Sequence, residues 1–221
     1  MNTSFILDFL AELAENNHKT WLDANRKRYE VAKQTFETRV VDLLQALQSF
    51  DENLQDLEPK KCIFRINRDV RFSKDKSPYK SNFGAYFQKG GKKAVGAGYY
   101  LHLQPNGESF FAGGIYAPQP IELGKIRQEI DYNLPDFQAI VTNPTFTGLF
   151  NGLSGEKMKT TPKGYTIDNP ALEYLRFKSF TIWHKVADEF MRQDTWIPTA
   201  STAFQAIKPL NDFLNRAVLH D

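Results

Sequence analysis

One segment of sixteen residues carries most of the side chains in this sequence that could bind an anion. Positions 65–80 hold six cationic residues and two aspartates. Guanidinium groups bind phosphate and carboxylate oxygens through paired N–H donors, and ammonium groups add point charges. The segment therefore predicts either a site for an anionic ligand or an internal ion-pair network. The predicted ligand-binding residues are Arg65, Arg68, Arg71, Lys74, Asp75, Lys76 and Lys80.

Three further residues are candidates for catalysis at such a site. Asp69 could orient the neighbouring arginines, and Tyr79, whose backbone is restricted by Pro78, could bind or stack on a ligand. His102 could act as an acid or base, because histidine titrates near neutral pH. The alternatives are structural: Pro78 and Tyr79 close a turn and fill the core, and His102 is an ordinary sheet residue.

Several familiar kinds of site lack their residues. The single cysteine, Cys62, excludes an internal disulfide framework and any cysteine-based zinc site. The glycine-rich stretches lack the spacing of a P-loop or a dinucleotide-binding fingerprint. No metal site and no cofactor are predicted, because no histidine has metal-ligand spacing to another histidine or to the cysteine. The histidines are His18, His102, His184 and His220.

Positive charge is concentrated in one part of the sequence. Residues 59–93 hold 11 Lys and Arg against 2 Asp and Glu, whereas the remainder holds 17 against 24. Such a block can attract anionic partners over a distance. A second, looser basic set could fold back on the first and complete an anion-binding cleft, or it could be an ordinary solvated surface. It comprises Lys157, Lys159, Lys163, Arg176 and Lys178.

Nucleic-acid binding is an alternative partner prediction. Basic residues interleaved with aromatic residues on a sheet are typical of surfaces that bind single strands. The isoelectric point of about 8.5 is low for such a domain, and no RNA-binding sequence motif supports the idea. The aromatic residues concerned are Phe72, Tyr79, Phe83 and Tyr86.

The positions of apolar residues predict the elements that carry these groups. Helical spacing predicts an N-terminal helix over 5–13, a second helical stretch from Thr20 with a bend near Asn25, and C-terminal helices over 121–132, 134–141 and 199–218. Alternation predicts strands over 64–72, 82–88, 98–104 and 109–116, and residues 180–183 could form another. Residues 143–161 are predicted to be irregular.

The predicted strand over 64–72 sets expectations for its side chains. Phe64, Ile66, Arg68, Val70 and Phe72 would share one face, and Arg68 would then need a partner such as Asp75. The opposite face would bring Asp69 between Arg65 and Arg71.

Further along, the Asn-Gly turn at 106–107 predicts a hairpin with His102 opposite Phe111 and Gly113. Together these elements predict an α+β fold, in which an antiparallel sheet meander of about four strands packs with N-terminal and C-terminal helices. Residues 1–221 are expected to form a single domain.

The charged segment resembles a family signature. Its pattern, RDxRFSxDKxPYK over 68–80, is similar to that of domain of unknown function 2461, a family of uncharacterised proteins. The similarity extends to Asn16-Asn17 and Trp21, to 98–101 and 113–116, and to 162–165. This resemblance implies no particular activity and supplies no catalytic residue.

Three functions are therefore open. The first is binding or processing of a small phosphorylated or other anionic molecule at the Arg, Lys and Asp cluster on the central sheet. The second is nucleic-acid binding, and the third is a structural or protein-interaction role with the cluster as an internal ion-pair network. The sequence has no apolar run long enough to span a bilayer and no secretory signal, so a cytoplasmic protein without a membrane partner is expected. Oligomeric state is not predicted.

Overall fold

Three helices form the N-terminal part of the protein in the computed structural model, which describes residues 2–193 and 195–219. They are α1 (Thr3–Glu15), α2 (Lys19–Ala24) and α3 (Arg26–Gln48). The side chain of His18 accepts a hydrogen bond from the Trp21 amide at the start of α2, and the chain turns at Asn25 between α2 and α3. The predicted N-terminal helix and the predicted bend are thus both observed.

A four-stranded antiparallel sheet forms the centre of the protein. Its strands are β1 (Phe83–Phe87), β2 (Gly98–Leu103), β3 (Ser109–Ile115) and β4 (Phe180–Val186), paired in that order. The α+β class and the four-stranded antiparallel sheet are confirmed. The prediction for one strand was wrong, however. The fourth strand of the sheet is β4, and the charged segment does not form a strand.

The predicted strand over 64–72 is wrong. The chain touches β1 through the bridge between Ile63 and Ala85 and through the Phe64 amide, which donates to the Gly84 carbonyl, and then leaves the sheet. Ile66 is buried while Phe72 is 95% exposed, so the expected apolar row does not exist. The reason is local: the side chains of Asp69 and Asp75 each accept from the backbone amide two residues further on and compete with a strand ladder.

The helices cover one face of the sheet, which we call the inner face. The long C-terminal helix α10 (Trp196–Leu219) packs there, with the Phe204 ring 5.4 Å from the ring of Tyr99 and 5.8 Å from that of Phe111. A β-carbon at Gly113 would lie 2.3 Å from the side chain of Ile207, so glycine permits this close approach. Phe36 of α3 covers β1 in the same way, 5.2 Å from Phe83.

The β2–β3 hairpin forms at the predicted place with a different register. His102 pairs with Phe110, not with Phe111. The hydroxyl of Ser109 accepts from the Gln104 amide and donates to the Gln104 carbonyl, so a side chain helps to close the turn. Asn106, with φ of 65°, and the following glycine adopt left-handed conformations, which asparagine and glycine tolerate.

The remaining helices lie in the C-terminal half. The predicted helices over 121–132 and 134–141 are observed, whereas the helix in 144–149 lies in a stretch predicted to be irregular. No helix in the described part of the chain is both long and apolar enough to cross a membrane. That residues 1–221 form one domain stays a prediction. The helices not yet introduced are α4 (Pro59–Cys62), α5 (Pro120–Tyr132), α6 (Leu134–Val141), α7 (Pro144–Leu149), α8 (Leu172–Leu175) and α9 (Asp188–Met191).

Candidate functional site

The charged segment forms a loop with a closed base. The Arg68 amide donates to the Pro78 carbonyl at 2.9 Å, and the Lys80 amide donates to the Ile66 carbonyl at 2.8 Å. We call residues 65–68 and 75–80 the neck of this loop and residues 69–74 its tip. The neck is a short backbone-paired stem beside β1, and it holds its side chains in fixed positions.

Asn17 fastens the neck to the N-terminal helices. Its side chain accepts from the Tyr79 amide at 3.1 Å and donates to the Tyr79 carbonyl at 2.9 Å. The ring of Tyr79 is 7% exposed and belongs to the hydrophobic core. The Tyr79 ring therefore anchors the loop in the hydrophobic core, which favours the structural interpretation of this residue over the catalytic one.

The tip is exposed and forms its own ion pair. Arg71 donates to both carboxylate oxygens of Asp69, at 2.9 Å and 2.6 Å, and its guanidinium lies over the ring of Phe72. The Lys76 ammonium, from the neck, donates to the Val70 carbonyl. Asp69 thus bonds to Arg71, and its pKa is lowered mainly by that bond.

A cleft of about 310 Å³ opens between the neck, the end of α1 and the start of β1. Two of its cationic groups, Arg68 and Lys80, come from the neck. Arg65, Arg71, Lys74 and Lys76 do not line it, so the structure divides the predicted ligand-binding residues into two groups. The cleft is lined by Ala14, Asn17, Arg68, Asp75, Ser77, Tyr79, Lys80, Ser81 and Asn82.

Arg68 and Asp75 form an ion pair at the wall of the cleft. Asp75 also accepts from the Ser77 amide at 2.9 Å and from the Ser77 hydroxyl at 2.7 Å. The Ser77 bonds and the Arg68 guanidinium together hold the pKa of Asp75 far below its usual range. Asp75 is therefore a fixed anion that orients Arg68, which leaves the other donors of this guanidinium for a ligand.

Lys80 has a different environment from the other cations. Its ammonium donates to the Arg65 carbonyl at 3.0 Å and lies 5.5 Å from the centre of the Phe64 ring. Among the described residues, no carboxylate lies within ion-pair distance of it. Burial, and secondly the charge of Arg65, lower the pKa of Lys80. A partly desolvated cation without a counter-ion gains strongly from a bound anion.

His102 lies next to this cleft in a fixed tautomer. Its Nε2 donates to Gln104 Oε1 at 3.0 Å, since that oxygen can only accept. Its Nδ1 accepts from the Tyr100 hydroxyl at 3.0 Å and from Asn82 Nδ2 at 3.4 Å. Burial lowers the pKa of His102, and it raises the pKa of Tyr100 to about 12. Both side chains are therefore neutral at pH 7.

Asn82 joins the two features. It lines the cleft, and its side-chain amide reaches His102. A group bound in the cleft would thus be separated from the neutral His102 imidazole by the Asn82 side chain. The alternation along β2 already places Tyr100 and Gln104 on the same face as His102, but sequence reasoning missed one neighbour of His102 that lies just before β1. The missed residue is Asn82, which only the pairing of β1 with β2 brings to His102.

The second basic set does not complete this cleft. It lies beside β4, at the opposite edge of the sheet from the neck, as the bridge from Ser154 to Thr181 of β4 shows. Lys157 and Arg176 pair with Glu173, and Lys178 pairs with Glu156. These contacts agree with the alternative of an ordinary solvated surface.

The remaining histidines have separate environments. His18 caps α2, as described above. The Nδ1 of His184 donates to the Leu149 carbonyl at 2.9 Å. His220 lies outside the described residues. Within the described ranges, no group of three or more His, Cys, Asp or Glu side chains could hold a metal ion.

Comparison with known proteins gives the family. Searches of the curated proteins and of the solved structures each found no match. A family model described as "Conserved hypothetical protein (DUF2461)" matches residues 5–213, which include both helical regions, the charged segment and the whole sheet. The protein therefore belongs to the DUF2461 family of conserved hypothetical proteins.

Proposed function

We propose that the cleft binds a small anionic molecule, with a phosphate or carboxylate group beside Lys80 and Arg68. The observation that supports it best is the Lys80 ammonium, which is partly buried and has no carboxylate partner in the described part of the chain. Arg68 and Arg71 of the same loop are each paired with an aspartate, whereas the Lys80 ammonium donates to the Arg65 carbonyl. The cytoplasm is the expected location of this binding.

The neighbouring groups suit an anion. Arg68 is held in place by Asp75, and the side chains of Ser77, Ser81 and Asn82 add polar groups to the cleft. A prearranged guanidinium loses little side-chain freedom on binding, so more of the interaction contributes to affinity. His102, neutral and at the margin of the cleft, bonds through both ring nitrogens to neighbouring side chains and so fixes the position of Asn82 beside the bound molecule.

Calorimetric titration with inorganic phosphate and ribose 5-phosphate tests the proposal. Loss of one charge-assisted hydrogen bond costs about 1.5–3 kcal/mol, so Lys80→Ala should weaken binding by about tenfold or more. Lys89→Ala is the matched control, because Lys89 is an exposed lysine of the same basic stretch outside the cleft. Arg68→Gln should also weaken binding.

Two results would contradict the proposal. The first is that neither ligand binds to the unmodified protein at millimolar concentration. The second is that Lys80→Ala and Lys89→Ala bind with the same affinity as the unmodified protein. Thermal unfolding of each variant without ligand shows whether a loss of binding reflects a loss of folded protein.

The structural alternative applies to the tip. Arg71 and Asp69 satisfy each other there, and this observation favours a local ion pair at that position. Of the aromatic residues considered for nucleic-acid binding, Tyr79 and Phe83 are buried in the core and cannot stack on bases. The burial of these two rings supports the anion cleft over a strand-binding surface.

A further inference from the structure

The outer face of the sheet, opposite the helices, carries a row of aromatic rings. His102 and Phe110 pair across β2 and β3, with ring centres 4.4 Å apart and planes inclined by 11°. This separation is close to the strand spacing of about 4.8 Å, so the two rings stand upright on the sheet and face each other. Tyr100 and Trp183 flank Phe110 at 5.8 Å and 6.2 Å. We call these four residues the aromatic row.

The aromatic row is only partly covered. Trp183 is 50% exposed, and Tyr100, His102 and Phe110 are partly exposed. Upright rings present their hydrogen-bearing edges outward, and these edges carry partial positive charge. A flat ring laid across them would make edge-to-face contacts, which are a favoured geometry for aromatic pairs.

Charge is unequal at the two ends of the aromatic row. At the β1 end, the ammonium groups of Lys80 and Lys92 lie 5.5 Å and 6.0 Å from the centre of the Phe64 ring, which itself lies 6.1 Å from the Tyr100 ring. At the β4 end, Lys185 is paired with Glu108 at 2.8 Å. The unpaired positive charge therefore lies at the end where the cleft opens.

The cleft and the aromatic row are continuous through Asn82, which lines the one and bonds to His102 of the other. We infer that the ligand is a free nucleotide, whose phosphate lies beside Lys80 and Arg68 and whose base lies flat across His102, Phe110 and Trp183. Asn82 and Gln104 then provide the polar contacts at the margin of the base. This inference rests on the proposed function of the cleft and adds the chemical class of the ligand.

A free nucleotide fits better than a nucleic-acid strand. A strand needs positive charge along its whole path, because each nucleotide adds a phosphate. The described cations beside the aromatic row that have no carboxylate partner, Lys80 and Lys92, lie at the β1 end. Lys185, at the other end, is paired with Glu108. The cleft, with a volume of about 310 Å³, is also bounded by the neck and α1, and its two lining cations, Arg68 and Lys80, match one phosphate group.

The test compares AMP with ribose 5-phosphate, which carries the phosphate and sugar without the base. Each edge-to-face aromatic contact contributes about 0.5–1.5 kcal/mol, so two or more such contacts should make AMP bind at least about fivefold more tightly than ribose 5-phosphate. Trp183→Ala should reduce this difference and leave the affinity for ribose 5-phosphate unchanged. Tyr132→Ala, which removes an exposed aromatic ring on α5, is the matched control and should change neither affinity.

Trp183 also provides a direct signal. AMP should quench part of the tryptophan fluorescence of the unmodified protein, and this part should be missing in Trp183→Ala. Phe110→Leu, which keeps an apolar side chain beside His102, should reduce the affinity for AMP and not that for ribose 5-phosphate. If both variants bind AMP more weakly and bind ribose 5-phosphate as before, misfolding of either variant cannot explain the loss.

The outcomes separate this inference from the proposed function. Equal affinities for AMP and ribose 5-phosphate would overturn the nucleotide assignment and leave the anion cleft standing. Failure of both ligands to bind would overturn both. An eight-residue oligoadenylate that binds more than about tenfold tighter than AMP, with steep salt dependence, would overturn the assignment to a free nucleotide in favour of a strand.

Discussion

The neck and the tip of the charged loop are built from similar residues and have opposite environments. Each contains an Arg–Asp ion pair and an aromatic ring. In the neck, Tyr79 is buried and fastened by Asn17, whereas in the tip Phe72 is 95% exposed. The pair in the neck lines a cleft, and the pair in the tip faces solvent. Residue type and spacing therefore do not distinguish a site from a surface; contact with the remainder of the fold does.

This comparison also separates two roles of charge. The tip satisfies its own charges within a few residues, so it needs nothing from the protein or from a ligand. The neck leaves the Lys80 ammonium without a carboxylate among the described residues and directs Arg68 through Asp75. An excess of positive charge next to a polar cleft is the condition under which an anion binds.

The largest expected effect is on stability, in a pair of aromatic substitutions. Tyr79→Ala should reduce the free energy of unfolding by about 3–5 kcal/mol, because it leaves a cavity in the core. Phe72→Ala should change it by less than about 0.5 kcal/mol, because the ring is exposed. Urea denaturation of both variants measures the difference. Equal losses would show that the tip is packed in solution and that the comparison is wrong.

A smaller loss is expected when the neck is unfastened from the helices. Asn17→Ala leaves the amide and carbonyl of Tyr79 without their partners, at a cost of about 1–3 kcal/mol. Asn151→Ala, at an exposed position, should cost less than about 0.5 kcal/mol. The measurement is again urea denaturation. If the two variants are equally stable, Asn17 does not hold the neck.

The next prediction concerns the titration of His102, beside the neck. Its pKa, lowered by burial, should fall below the value of about 6.5 for a free histidine. Asn82→Ala should raise this pKa, because the amide donates to the neutral ring and also shields it from water. Arg71→Ala in the tip should leave it unchanged. Histidine proton resonances followed between pH 4 and 8 would measure all three values.

The same shift predicts how stability depends on pH. Below a pH of about 6.5 the unfolded chain takes up a proton at this position while folded His102 resists it. Its contribution to stability is therefore complete above that pH and is lost as the pH falls towards the folded pKa. A His102→Gln variant should lack this dependence. If His102→Gln keeps the same dependence of stability on pH, a group other than His102 causes it.

The smallest expected effect compares the two aspartates. The pKa values of Asp75 and Asp69 are both lowered, so each contributes stability above a pH of about 3.9 and loses it as the pH falls further. Asp75, which accepts from Ser77 and Arg68, has the larger shift. Asp75→Asn should therefore flatten the acid side of the stability profile more than Asp69→Asn does. The reverse order would mean that the ion pair of the tip is the stronger one.

Helices were the most predictable part of the fold. The stretches over 121–132 and 134–141 follow directly from apolar spacing and from prolines at the helix starts. The hairpin was predictable in position but not in register, because the bonds between Ser109 and Gln104 involve a side chain that turn statistics ignore. The alternation in 64–72 predicted a strand, but this segment contacts β1 only through one bridge and one hydrogen bond. Its aspartate side chains bond to backbone amides instead, and alternation does not reveal that competition.

The sequence by itself determined the α+β class, most helices, the charged segment and the candidates Asp75 and His102, because these depend on spacing within short stretches. Only the tertiary structure decided which cations line the cleft and which face solvent. Arg68 and Lys80 face a cleft because backbone pairing in the neck and the contact with Asn17 direct them there. Alternation along β2 places Tyr100 and Gln104 beside His102, whereas Asn82 reaches it only because β1 pairs with β2, and no local pattern encodes that pairing.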